Sequence, residues 1–205
     1  TPNKVLVNGP AYRLELGEIK VEVGPSLRYQ HIYESRGPAS EGEFILTLMP
    51  YWDFVTDYTL KILCEVDWTS SVKIKFHPAT DSKQFTKMIP SNFIVTDEPM
   101  SELLAKAKIV VGRSSGAQVE AIACGIPVID VYSPNVFSHN LMPPTGKGTI
   151  WDCATNADEV NTMVRRFEKL LKSNPALLEN EGARIRALYF SEPTEEHISQ
   201  AFGLN

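Results

Sequence analysis

Between residues 44 and 131 the chain alternates short, continuous apolar runs with stretches whose apolar positions recur every three or four residues. Phe44-Ile45-Leu46-Thr47-Leu48, closed by Pro50, has the composition of a buried strand, and 55–66 follows it with helical periodicity. Val72-Lys73-Ile74-Lys75-Phe76 predicts the next strand. A helix near 84–88, a strand over 93–96, a short helix over 101–107, a strand over 108–111, a helix over 115–124 and a strand over 127–131 continue the alternation. Unbroken apolar runs suit strands covered on both faces, and the intervening helices supply right-handed crossovers. The pattern predicts an α/β domain on a doubly wound, Rossmann-like parallel sheet.

The two ends differ from this middle. Near the N-terminus the pattern predicts strands over 4–8 and 19–23, a short helix over 11–17 and another through Tyr29-Gln30-His31-Ile32-Tyr33. Two strands with short crossovers cannot bury both of their faces alone. Residues 1–35 are therefore expected to be the remnant of a preceding α/β domain. Residues 36–43, rich in Gly, Pro, Ser and Glu, are expected to be a linker, and 44–205 the main domain. Beyond 131 comes a long loop over 132–147 carrying Pro134, Pro143 and Pro144. After Trp151 the chain reads as helical, over 157–172, 175–188 and a tail over 194–202, with Pro175 well placed at a helix start.

Composition narrows the function classes. A net charge of -5 and a pI of about 5.4 argue against a nucleic-acid backbone as the partner. Lys73, Lys75, Arg113 and Lys147 are nevertheless expected to form a local positive pocket. No apolar run approaches the roughly 20 residues of a membrane span. The start, Thr1-Pro2-Asn3-Lys4, has neither an initiator Met nor a signal peptide's apolar core, so the chain reads as a piece of something larger. Three cysteines lack metal-ligand spacing; Cys64 and Cys124 are expected to be buried free thiols, which points to a reducing, cytoplasmic compartment. The histidines are scattered, no metal site is expected, and His31 and His197 receive no role.

Candidate chemistry gathers where strands end. Ile109-Val110-Val111-Gly112 stops at a turn, Arg113-Ser114-Ser115-Gly116, that opens a helix. Such a turn offers unpaired backbone N–H groups, two hydroxyls and the positive end of a helix dipole to one spot, and phosphate suits it best. An ordinary N-cap explains one serine equally well. Glu120 lies within a helix of small residues, where a carboxylate invites a partner such as a ribose diol; a solvated glutamate is the alternative. His77-Pro78 ends another strand, and Pro78 biases His77 toward extended backbone, aiming the imidazole. It could instead bond a strand-end carbonyl. Thr96-Asp97-Glu98-Pro99-Met100 ends a third strand, where backbone groups could read a nucleobase edge, although the same residues suit a helix start. Tyr51, Trp52 and Asp53 would border the same cleft, Trp52 better suited to the core. His139, Asn140 and Lys147 could close over a ligand from the long loop.

Taken in order, Phe76-His77-Pro78, Met100-Ser101-Glu102-Leu103-Leu104-Ala105-Lys106-Ala107 and Ile109 to Ile129, with its Ser-Ser-Gly turn and "Val-Glu-Ala-Ile-Ala-Cys-Gly-Ile-Pro-Val", resemble the C-terminal half of GT-B glycosyltransferases. The His-Pro and Ser-Ser pairs are most similar to bacterial surface-carbohydrate enzymes: polysialyltransferases, capsule Kdo transferases and CDP-glycerol glycerophosphotransferases. The resemblance, covering about residues 20–200, implies a domain that holds a CMP-, CDP- or UDP-activated sugar for transfer to a carbohydrate acceptor. It implies that His77 contacts the donor phosphate and acts in catalysis, and that Ser114 and Ser115 bind phosphate. Glu120 would lie near the ribose, and the 97–100 turn near the base. Pro78, Asp97, Glu98, Met100, Arg113 and Gly116 complete the implied donor site. It further implies no metal cofactor, a general base in a preceding domain, and peripheral association of the full enzyme with the inner membrane face. A non-hydrolysing UDP-N-acetylglucosamine 2-epimerase is the rival enzyme, though its Gly-Gly turn is absent here. A nucleotide-binding module without chemistry is the other alternative.

Overall fold

The computed structural model describes residues 4–15, 17–34, 41–113, 115–133, 135 and 140–204. Six parallel strands form the main sheet: β3 (Phe44–Leu48), β4 (Val72–Lys75), β5 (Phe93–Val95), β6 (Ala107–Gly112), β7 (Val128–Val131) and β8 (Trp151–Ala154). Their order is β5-β4-β3-β6-β7-β8. The chain winds outward from β3 to β5, crosses back, and winds outward again from β6. The reversal leaves a crevice at the carboxyl ends of β3, β4 and β6, where doubly wound sheets hold ligands. Strand β3 is central and buried along its whole length, as its unbroken apolar run requires.

Helices α1 (Asp53–Cys64), α2 (Met100–Lys106) and α3 (Gly116–Ala123) make the crossovers. Small residues on α3 let it sit tightly; Ala121 and Ile122 are fully buried. Helix α4 (Ala157–Ser173) buries Val160, Val164, Phe167 and Leu171, one helical stripe, each side chain contributing about 2 kcal/mol. Helix α5 (Pro175–Tyr189) packs on α3, where a Cβ on Gly182 would stand 2.6 Å from the Gly125 nitrogen. Helix α6 (Glu195–Phe202) ends at Gly203 in the left-handed conformation, φ 67°. None of the described helices is long and apolar enough to cross a membrane.

The N-terminal residues form their own two-stranded parallel sheet, β1 (Lys4–Val7) with β2 (Lys20–Val23). It is fastened to the far end of the chain. Ser26 N–H donates to Ser191 O at 2.9 Å, Ser191 N–H donates to Ser26 Oγ at 2.9 Å, and Ser26 Oγ–H donates to Asn8 O at 2.7 Å. Lys4 Nζ donates to the Ala201 carbonyl, and His197 sits between Ser191 Oγ at 3.2 Å and Val23 O at 3.4 Å. His197, given no role from sequence, is thus part of a clasp. The clasp places the 3-10 segment Leu27–Ile32 beside α3.

Four expectations are corrected. The helix over 11–17 reduces to one 3-10 turn, Pro10–Tyr12; Tyr12 and Leu14 are exposed, so no apolar stripe rewards a longer helix. The segment near 84–88 is the 3-10 turn Ser82–Phe85, followed by a non-helical turn. The chain after Trp151 begins with an edge strand, β8, whose four residues are too few to show a period. Cys64 is exposed and Cys124 half-buried, because helix position alone does not say which face is covered.

Candidate functional site

A cleft of about 520 Å³ opens at the carboxyl ends of the central strands. Its walls come from the end of β3 (Leu48, Met49), the end of β4 (Lys75, Phe76, His77, Pro78), the start of α2 (Met100, Ser101), the start of α3 (Ser115, Gly116, Ala117, Glu120) and the Leu27–Ile32 segment (Arg28, Tyr29, His31). Of the residues singled out from sequence, His77, Pro78, Met100, Ser115, Gly116 and Glu120 meet here. Ser114 and His139 lie outside the described residues.

His77 is fixed on several sides. Its Nδ1 accepts the Ala79 N–H at 3.2 Å, its carbonyl accepts the Thr80 N–H at 2.9 Å, and the Tyr51 ring meets it edge-on with centroids 5.3 Å apart. Thr80 Oγ1 donates to the Pro50 and Tyr51 carbonyls, tying the β4 turn to the β3 turn. With Nδ1 accepting, a neutral ring carries its proton on Nε2, which makes Nε2–H the donor left for a ligand. A Cβ on Gly116 would meet nothing within 4 Å, so the first turn of α3 is open to close approach by an anion.

Beneath that turn lies a buried polar network that sequence reasoning did not assign. Gln118 is fully buried; its Oε1 accepts the Ser115 N–H at 3.2 Å, and its Nε2 donates to the Gly112 carbonyl at 3.2 Å and to Asp130 Oδ1 at 3.4 Å. Asp130 also accepts from Arg113 Nη1, and both residues are 2% exposed. The network pins the strand end, the helix start and the next strand together, and so sets where Ser115 points. It also corrects the expectation for Arg113. Its guanidinium turns inward to Asp130 and against the Tyr132 ring, 4.9 Å from the centroid, and does not line the cleft. A cation at a strand end follows its buried countercharge.

The acidic residues of the third turn are displaced in the same way. Asp97 is exposed and off the cleft wall, and Glu98 pairs with Lys73 at 2.5 Å while accepting from Thr96 Oγ1 at 2.9 Å. The Lys73 ammonium and the Thr96 hydroxyl hold the Glu98 carboxyl below the usual range. Lys75 Nζ donates to the Glu98 carbonyl at 2.8 Å and also lines the cleft. The expected positive pocket therefore does not form as drawn: Lys73 and Arg113 are paired elsewhere, and Lys147 lies over the Trp151 ring. Arg28, His31 and Lys75 supply the basic character instead.

Glu120 faces the cleft with its side chain 12% exposed. His31 Nε2 stands 3.2 Å from its Oε2, close enough for an ion pair but too oblique for a well-formed hydrogen bond. Burial pushes the Glu120 carboxyl above the usual carboxylate range, against the opposing pull of His31 and Arg28. His31 and Arg28 escaped the sequence reading because no local pattern links a 3-10 segment near the N-terminus to α3.

No protein-family model and no curated protein sequence matches this chain. Solved structures do. Anabaena HepE in complex with UDP-glucose superposes with a TM-score of 0.58 at 11% identity, over 98% of this chain and 64% of that one. The wall teichoic acid polymerase TagF gives 0.55 at 12% identity, over 98% of this chain and 56% of its own. The glycosyltransferase SnogD from Streptomyces nogalater gives 0.50 at 15% identity, over 85% and 45%. This chain spans less than two thirds of each. At these identities the likeness establishes the fold, that of GT-B glycosyltransferases.

Proposed function

We propose that this chain is the donor-binding half of a glycosyltransferase of surface polysaccharide synthesis, holding a sugar activated by CMP, CDP or UDP. The observation that carries the reading is the meeting of His77 with the Ser115-Gly116 start of α3 in one cleft at the sheet's switch point. The fold shared with HepE, solved with UDP-glucose, supports it. So does TagF, a wall teichoic acid polymerase. In this reading residues 1–35 belong with an acceptor-side domain and 44–205 form the donor domain.

The chemistry follows from what the cleft presents. As the bond between sugar carbon and phosphate oxygen breaks, negative charge grows on the nucleotide's terminal phosphate. The α3 N-terminus, the Ser115 hydroxyl and His77 Nε2–H stabilise that charge, while an acceptor hydroxyl oxygen attacks the sugar carbon to form the new glycosidic bond and gives up its proton to a general base of the acceptor-side domain. Each fixed donor of this kind is worth about 3 kcal/mol of transition-state stabilisation. In this reading hydrogen-bond donors of the protein, not a metal ion, stabilise the charge on the phosphate.

Calorimetric titration with CMP, CDP, UDP and GDP tests the reading. One nucleotide binds, His77→Ala weakens it by roughly ten- to a hundredfold, and Ser115→Ala weakens it severalfold. Absence of binding by all four at millimolar concentration, or full affinity in His77→Ala, overturns it.

A further inference from the structure

The cleft contains a histidine–carboxylate pair that the reading above leaves without a task. His31 and Glu120 face each other across the cleft wall, Nε2 to Oε2 at 3.2 Å, with side chains 17% and 12% exposed. They come from the Leu27–Ile32 segment and from α3, and both line the same cavity as His77 and Ser115. We infer that His31 is a positioning residue for Glu120, holding its carboxylate toward the ribose hydroxyls of the bound nucleotide. The inference rests on the nucleotide reading of this cleft.

A diol is held by a carboxylate only while that carboxylate accepts both hydroxyl protons; a protonated Glu120 keeps one oxygen as an acceptor and becomes a donor at the other. Burial works against ionisation, since a carboxylate withdrawn from water favours its neutral form. The groups facing Glu120 are His31 and Arg28 from the 27–32 segment and the Tyr12 hydroxyl from the 3-10 turn before it. Arg28 is exposed, so solvent screens it, and Tyr12 is neutral at physiological pH. His31 is the one of the three that stands at ion-pair distance with little water around it. The segment that carries it is fastened by the Ser26–Ser191–Asn8 clasp and by Arg186 Nη1, which donates to the Ile32 carbonyl at 3.1 Å.

Two measurements decide it. Carboxyl-selective carbon NMR follows the Glu120 titration, its signal identified by loss in Glu120→Gln. In His31→Gln the Glu120 midpoint moves to higher pH, and in the wild type the His31 ring signals carry an inflection at the Glu120 midpoint. A Glu120 midpoint unchanged in His31→Gln overturns the inference; so does a His31 ring blind to Glu120 in the wild type, a readout needing no folded variant. The second measurement compares UDP and CDP with their 2′-deoxy forms. The wild type prefers the ribonucleotide by about tenfold while Glu120 is ionised, and the preference fades as pH falls. In His31→Gln it fades at a higher pH than in the wild type, and Glu120→Gln lacks it throughout. A preference that fades at the same pH in His31→Gln and in the wild type overturns the role. Failure of the wild type to bind any nucleotide while the titration linkage holds ends the nucleotide reading instead, and with it the ribose part of this one.

Discussion

At the scale of single residues, the site is set by which charges find buried partners. Arg113 and Asp130 are fastened to each other under the α3 turn, and Gln118 links Asp130 to the Ser115 backbone. Removing one member of a buried pair leaves the other charge without its compensation, which costs about 3–5 kcal/mol. Asp130→Ala is therefore expected to lower the unfolding free energy by that amount in urea titrations. Asp130→Leu combined with Arg113→Met should cost less than the sum of the single changes. Additive costs would mean that the pair does not act as a unit. Gln118→Leu keeps the volume but removes the acceptor for the Ser115 N–H and the donor to Gly112 and Asp130, and is expected to lower the unfolding free energy by about 1–3 kcal/mol in urea titrations and to weaken nucleotide binding in calorimetry. His77 was legible from sequence because a proline after a strand dictates backbone geometry locally. Arg113 was not, because its direction depends on Asp130, a residue of the neighbouring strand.

At the scale of elements, α3 is held close to the sheet at one end and to α5 at the other. The absence of a Cβ on Gly182 lets the two helices approach at Gly125, and Gly182→Ala forces them apart. A loss of about 1–3 kcal/mol is expected, read as a lower urea midpoint with unchanged slope. Helix α4 is started by Asn156, whose side chain accepts the Glu159 N–H at 2.9 Å, while Glu159 Oε2 accepts the Thr155 N–H at 2.6 Å and its hydroxyl at 2.9 Å. Asn156→Ala is expected to cost about 1 kcal/mol. The Thr155 backbone and hydroxyl hold the Glu159 carboxyl below its usual range. A lowered folded-state value contributes stability that is complete above the ordinary carboxylate range and is lost as pH falls through the lowered value. Unfolding measured between about pH 7 and pH 3 should thus show a shallower acid decline in Glu159→Gln than in the wild type. The helices after 157 were visible from their period, whereas β8 was not: an edge strand of four residues is recognised only by its pairing to β7.

At the scale of the whole molecule, the cleft lies between the N-terminal segment, itself clasped to Ser191, and the sheet's switch point, so a ligand in it should stabilise the fold as one body. A nucleotide present at a hundred times its dissociation constant adds about 2.7 kcal/mol, a rise in Tm of roughly 5–10 °C for a chain of this size. The same rise is expected with EDTA present; a shift that vanishes on chelation would assign the cleft a metal-dependent ligand. The alternation of apolar runs and helical periods was enough to establish a doubly wound parallel sheet, because each element's burial is written in its own neighbours along the chain. The residues at the strand ends, His77 and Ser115, followed from that order alone. The cleft's second wall was decided only in three dimensions. His31 meets Glu120 through a clasp between the first and last segments, and the charges near the turn are sorted by partners distant in sequence. Periodicity reports which face of an element is buried; only packing determines what that face is buried against.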